Sequence, residues 1–191
     1  MPIVIFEGPE ASGKSTLIDA LIERWGSNFR YRHWGPRESW LEYCQPLFED
    51  VKACREDPTL LIVWSRSWLS RAVYNQLLTQ GHSVPKTVLK ELDHIVVRSG
   101  GFLFLVTSPV NVLLQRRLDR LSDPNSKPDH PLDPEKEQDE FFKQNSSRKW
   151  KMLSGVQPVN DNLTFILDQI AHRNPEALMG IEGRELPIVE P

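Results

Sequence analysis

Residues 6–16 read FEGPEASGKST, and the spacing of Gly8, Gly13, Lys14 and Ser15 satisfies G-x-x-x-x-G-K-[ST]. The stretch follows PIVIF, an apolar run of strand length, and precedes LIDALIERW, whose apolar residues recur at helical spacing. A loop between such a strand and such a helix is the context that gives the motif its meaning. Small residues at Ala11, Ser12 and Gly13 let consecutive backbone N–H groups turn inward on an anion. The helix that follows adds the positive end of its dipole. Lys14 can then reach the β and γ phosphates of a nucleoside triphosphate, and the Ser15 hydroxyl can sit on the Mg²⁺ that bridges them. Pro9, Glu10 and Thr16 complete the stretch expected to touch the triphosphate.

Bulk properties narrow the frame. A chain of 191 residues with 39% hydrophobic content can bury one sizeable core, so one domain is expected. A net charge of −3 gives no general pull toward nucleic acid or an anionic membrane. No apolar run approaches the roughly 20 residues needed to span a bilayer, and the N-terminus passes straight into a strand, so a cytoplasmic protein without a membrane partner is expected. Cys44 and Cys54 have no His-rich tract nearby, which points to reduced, structural thiols rather than zinc or a disulfide framework.

Short apolar runs alternate with helical periodicities along the chain, the pattern of a parallel α/β sheet covered by helices on both faces. Strands are predicted at Ile3 to Phe6, Phe29 to Trp34, Leu60 to Trp64, Phe102 to Val106 and Leu163 to Leu167. The helix after the loop repeats Leu17, Leu21, Ile22 and Trp25 on one face, and another runs from about Pro85 through Val96 to end near Gly100-Gly101. Ser108-Pro109 reads as the cap and first residue of a helix whose buried stripe is Val110, Leu113, Leu114, Leu118 and Leu121.

Residues 122–134, SDPNSKPDHPLDP, break this pattern with four prolines and no periodicity. They join two helices, with Asp133-Pro134 as the cap of the second. Connections of this length in a compact domain are usually lids or disordered segments. Arg116, Arg117 and Arg120 stand immediately before it. The chain is therefore divided into a domain over 1–170, with a lid at 116–134, and a C-terminal tail over 171–191.

No guanine-reading N-K-x-D is present, and a motor or helicase would need more chain for its coupling elements. A short domain whose basic helix end feeds a lid suits phosphoryl transfer to a small acceptor, because closure must exclude water and bring cations onto the transferring group.

The sequence resembles the thymidylate kinases, and the related deoxynucleoside kinases, over about residues 1–168. FEGPEASGKST looks like that family's phosphate loop, with an acidic residue at the place of Glu10. In WSRSWLSRAVY, residues 64–74, Arg66, Ser70 and Tyr74 match the spacing of the family's D-R-Y-x-x-S-x-x-A-Y element. LVTSPVNVLLQRRLDR, residues 105–120, resembles the strand and helix leading into its lid. The resemblance extends to bacteriophage members through HWGP, residues 33–36, and the SRSWLS element; a phage protein would work in the host cytoplasm. It implies a three-layer nucleotide-kinase fold with a five-stranded parallel sheet and a lid, and ATP- and Mg²⁺-dependent phosphorylation of a nucleoside or nucleotide. Ser65 stands where the family has Asp, and Glu7 or Glu10 is the carboxylate available to replace it.

From strand-end position and this resemblance, Lys14, Glu10, Arg66, Arg116 and Arg120 are the candidate catalytic residues, Arg117 a nucleotide contact and Ser15 the metal ligand. Trp34, Gly35, Pro36, Arg66, Trp68, Ser70 and Tyr74 are candidates for the acceptor site; His33 and His130 are read as incidental. Two other functions stay open: a kinase acting on a hydroxymethylated base, 5-hydroxymethyluracil, in phage DNA, with a basic surface around Lys143, Arg148, Lys149 and Lys151, and a non-catalytic nucleotide-binding module. A homodimer is also left open.

Overall fold

The computed structural model describes residues 2–35, 39–79, 84–122, 132–145 and 149–180. Five strands, β1 (Ile3–Glu7), β2 (Phe29–His33), β3 (Leu61–Ser65), β4 (Phe102–Thr107) and β5 (Lys151–Ser154), form one sheet in the order β2-β3-β1-β4-β5. All four pairings are parallel. The helices are α1 (Lys14–Trp25), α2 (Cys44–Glu56), α3 (Trp68–Tyr74), α4 (Lys86–Arg98), α5 (Val110–Leu121), α6 (Pro134–Gln144) and α7 (Val159–Arg173). The fold is thus the α/β architecture expected, with the sheet between helical layers.

β1, β3 and β4 are central, and their near-continuous apolar sequences follow from burial on both faces. On one face Ile5, Ile62 and Leu103 pack with Leu47 of α2, Trp68 of α3 and Leu89 of α4. On the other, Val4, Val63 and Phe104 meet Leu17 and Leu21 of α1 and Ile166 and Ile170 of α7. Buried indole N–H groups need acceptors. Asp50 accepts from Trp64 Nε1 at 2.8 Å, and Asp93 accepts from both Trp68 Nε1 at 2.8 Å and Trp150 Nε1 at 2.9 Å. Among the described residues no helix is long and apolar enough to cross a membrane. Both cysteines are free, and burial pushes the Cys54 thiol up to about 12.

Three local expectations are corrected. Leu163 to Leu167 is not a strand; it lies inside α7, whose buried residues Leu163, Ile166 and Ile170 recur at helical spacing. The fifth strand is KMLS, 151–154, a four-residue edge strand too short and too half-exposed to show alternation. On α5 only Leu113 and Arg117 are buried; Leu114, Leu118 and Leu121 are 48%, 49% and 60% exposed. The helix turns Arg117 inward, so most of its leucines face out. Ser108 does not cap α5 either: Pro109 holds the cap position, and Ser108 Oγ donates to Ser12 O at 3.2 Å. Asp133 does cap α6, accepting from Glu135 N at 2.9 Å with Pro134 as the first helical residue. Residues 123–131 of the lid segment, and 181–191 of the tail, lie outside the described residues, as do Pro36 and Arg148; His130 falls within the first of these.

Candidate active site

The carboxyl ends of the strands, where α/β sheets place their ligands, bring together the loop after β1, His33 at the end of β2, Ser65 at the end of β3 with Arg66 just beyond it, Ser108 after β4 and Gly155 after β5. Gly13 sits at the start of α1 with φ 100°, a backbone that L side chains rarely adopt, and Ala11 is likewise left-handed at φ 64°. These turns aim the loop's N–H groups inward. The loop is held from outside by its carbonyls: Arg116 donates to Ala11 O at 3.1 Å, and Ser108 Oγ to Ser12 O.

Lys14 begins α1 and is 7% exposed. Its Nζ donates to Gly8 O and Pro9 O, each at 2.7 Å, and lies 3.3 Å from Ser12 Oγ. Burial, then the Arg66 guanidinium, lowers its pKa from 10.5 to about 7. A triphosphate beside the amine favours the ammonium form, so at pH 8 nucleotide binding should take up close to one proton, and affinity should rise as the pH falls toward 7. Below 7 the free protein already carries the proton and the linkage fades. Calorimetric titration of ATP at pH 8, in two buffers of different ionisation enthalpy, reads the uptake; proton release, or the same uptake in Lys14→Met, would overturn this assignment.

Two cavities meet at the loop. One, of ≈ 460 Å³, is walled by Gly13, Leu17, Arg116 and the stretch Gly155 to Val159. The other, of ≈ 90 Å³, is lined by Glu10, Lys14, Ser15, His33, Ser65 and Arg66. Ala11, Gly13, Thr16 and Arg120 line both, and Arg120 is the cation common to the two among the described residues. Its side chain is 47% exposed and pairs with Glu10 Oε1 at 3.6 Å. Arg66 adopts φ 70°, an unusual backbone for a residue other than glycine. Its guanidinium lies over the Tyr74 ring at 5.1 Å. Burial drives the Tyr74 phenol far above its ordinary range, and its hydroxyl donates to Glu137 Oε1 at 2.5 Å.

Other predicted residues sit elsewhere. Trp34 and Trp68 belong to the apolar core, 4.9 and 6.1 Å from Trp64 by ring centroids, and line neither cavity. Ser70 is buried and tied to Glu7. Glu7 itself is fully buried and accepts from Ser67 Oγ at 2.7 Å, Ser70 N at 3.0 Å and Ser70 Oγ. It thus takes up donors at the start of α3. Arg117 is buried, paired with Glu137, and donates to Leu132 O at 2.6 Å. Among the described residues, nothing lies within 4 Å of where a Cβ on Gly35 would stand.

The 155–159 wall was missed in the sequence because β5 was. GVQP following an apolar tetrapeptide is its faint signal. His33, taken as incidental, lines the smaller cavity.

The Gly-loop cradle, an unobstructed hydroxyl at Ser15 and the adjoining cavity fit a nucleoside triphosphate. No cluster of three metal-ligating side chains exists among the described residues. A Mg²⁺ ion would accordingly rest on Ser15, phosphate oxygens and water, an arrangement this ion tolerates.

Together the sheet order and phosphate loop define a P-loop kinase fold. No protein-family model matches the chain, and no curated protein matches it. Among solved structures, the YorR protein of Bacillus subtilis, in complex with phosphorylated GDP, is similar over 89% of this chain and 97% of its own, with 16% identity and a TM-score of 0.61. Polyphosphate kinase 2 from Arthrobacter aurescens TC1 covers 100% of this chain and 72% of its own, at 11% identity and a TM-score of 0.60. These likenesses carry the fold, P-loop kinase, and not the narrower thymidylate kinase assignment.

Proposed function

We propose that the protein transfers the terminal phosphoryl group of ATP to a small acceptor of the (deoxy)nucleoside or (deoxy)nucleoside monophosphate class, with Mg²⁺ as cofactor. The observation that carries this is the pair of cavities sharing one phosphate loop. The larger, at the carboxyl end of β5, has room for a base and ribose. The smaller, facing Ser65 and Arg66, takes the acceptor end. The transferring phosphoryl group lies between them, under Lys14 and Arg120. Mg²⁺ supplies charge neutralisation on the phosphate oxygens. With a nucleoside as acceptor, Glu10 accepts a hydrogen bond from, or the proton of, the attacking hydroxyl; a monophosphate attacks through an ionised phosphate oxygen and needs no base, and in both cases Arg66 steadies the acceptor.

Incubating the protein with γ-labelled ATP and Mg²⁺ against nucleosides, monophosphates and hydroxymethylated DNA tests the reading: label on a free nucleoside or nucleotide supports it. Label on DNA alone would establish the modified-base kinase instead. That outcome is disfavoured by the position of Lys149 and Lys151 at the amino end of β5, away from the site. ATP binding with no transfer to any acceptor would leave a nucleotide-binding module.

Arg120 gives a sharper test. Its side chain reaches both cavities while half exposed, so it contributes little to ground-state affinity and much to charge that develops during transfer. Arg120→Ala should lower kcat by about 10²-fold or more with ATP affinity changed only a few-fold. Loss of ATP affinity with kcat intact would make it a ground-state binder.

A further inference from the structure

We propose, resting on the kinase reading, that Glu137 is a positioning residue: paired with Arg117, it clamps Glu10 of the phosphate loop by its backbone and anchors Tyr74 beneath Arg66.

Glu137 lies on α6, is 1% exposed, and has no sequence signature. Its Oε1 accepts from Glu10 N at 2.9 Å and from the Tyr74 hydroxyl at 2.5 Å; its Oε2 accepts from the Arg117 guanidinium. The same guanidinium nitrogen lies 3.4 Å from Glu10 O. Both backbone polar atoms of Glu10 are therefore taken by one ion pair. From this held backbone the Glu10 side chain projects toward the smaller cavity, where it meets Arg120. Through Tyr74 the same carboxylate oxygen fixes the ring on which Arg66 rests.

Packing alone does not account for the pair. A buried ion pair is weak grounds for stability, since apolar residues of similar volume often do as well. α6 already has an apolar anchor in Phe141, which is fully buried and meets Tyr74 edge-on at 6.1 Å. What the charged pair adds is direction: hydrogen bonds aimed at two residues of the acceptor side, from a helix that lines neither cavity. Reactions that depend on bound geometry lose about 10²-fold for a displacement near 1 Å, so a clamp of this kind acts on rate more than on nucleotide affinity.

The test replaces the pair by apolar residues, Arg117→Met with Glu137→Leu, beside Glu137→Gln and Tyr74→Phe. Amide hydrogen exchange at Glu10, thermal melting, ATP affinity, and kcat and KM for the acceptor are read for each. The double variant should melt near the wild type, exchange its Glu10 amide at least tenfold faster, and lose about 10- to 10²-fold in kcat while ATP affinity stays within a few-fold. Tyr74→Phe should leave the Glu10 amide protected and raise the acceptor KM. A folded double variant with wild-type Glu10 protection, or with unchanged kcat per folded molecule, overturns the proposal. Should the double variant not fold, Glu137→Gln decides: it keeps an oxygen for Glu10 but abolishes the charge pairing, and undiminished kcat overturns the clamp. If the wild type transfers phosphate to no acceptor, the kinase reading fails, while Glu10 exchange alone judges the clamp.

Discussion

Lys14→Ala is expected to cut phosphoryl transfer by about 10² to 10³-fold, the usual loss when one preorganised cation or donor is removed from a developing negative charge. The fold should survive. Lys14 belongs to neither apolar core cluster; among the described residues its Nζ hydrogen-bonds within its own loop, to Gly8 O, Pro9 O and Ser12 Oγ. Its burial opposes the ammonium form, so deleting it removes a desolvated amine rather than a packing element. It lines the smaller cavity with Ser15, Arg66 and Arg120. Steady-state kcat beside a melting curve checks this: full turnover in a folded Lys14→Ala protein would sink the mechanism.

Gly155→Ala is expected to do comparable damage by a different route. A Cβ built on Gly155 would stand 1.7 Å from Ser12 O, 2.9 Å from Ser12 C and 2.6 Å from Ser108 Oγ. The first two are backbone atoms with no rotamer to turn away. Gly155 is itself pinned, its N–H donating to Thr107 O at 2.7 Å and its carbonyl accepting from Arg116 at 2.9 Å. Either the phosphate loop or the β5–α7 connection must shift by about an ångström. ATP affinity should fall about 10²-fold, with roughly 1–3 kcal/mol lost in stability as in other overpacked sites. Gly35→Ala is the control, because among the described residues nothing lies within 4 Å of the added carbon. Calorimetric titration with ATP and thermal melting of both variants suffice. Wild-type ATP affinity in Gly155→Ala would show that the two loops need not touch.

These two residues differ in how they could be found. Lys14 is legible because its chemistry is local: strand, glycine loop, lysine, hydroxyl and helix follow one another within a dozen positions, and each constrains the next through φ/ψ and hydrogen bonding. The first four strands, α1, α4 and the Asp133-Pro134 cap are legible for the same reason, as is the α/β class. Gly155 follows a four-residue edge strand of which only Leu153 is buried, too short to show a period, while the apolar 163–167 run imitates a strand within a helix.

The sequence by itself determined the phosphate loop, the parallel α/β frame and the group of arginines that precede the lid. Tertiary structure decided which of those arginines serve what: Arg116 braces the loop's carbonyls, Arg117 turns inward to Glu137, and Arg120 reaches both cavities. It likewise sent Trp34 and Trp68 to the core and Glu7 to the start of α3, and brought Glu137 to a loop 127 positions away. The physical reason is range. Backbone conformation and helical phase are settled by neighbours in the chain, whereas the burial and partners of a side chain depend on which elements the sheet order lays beside it.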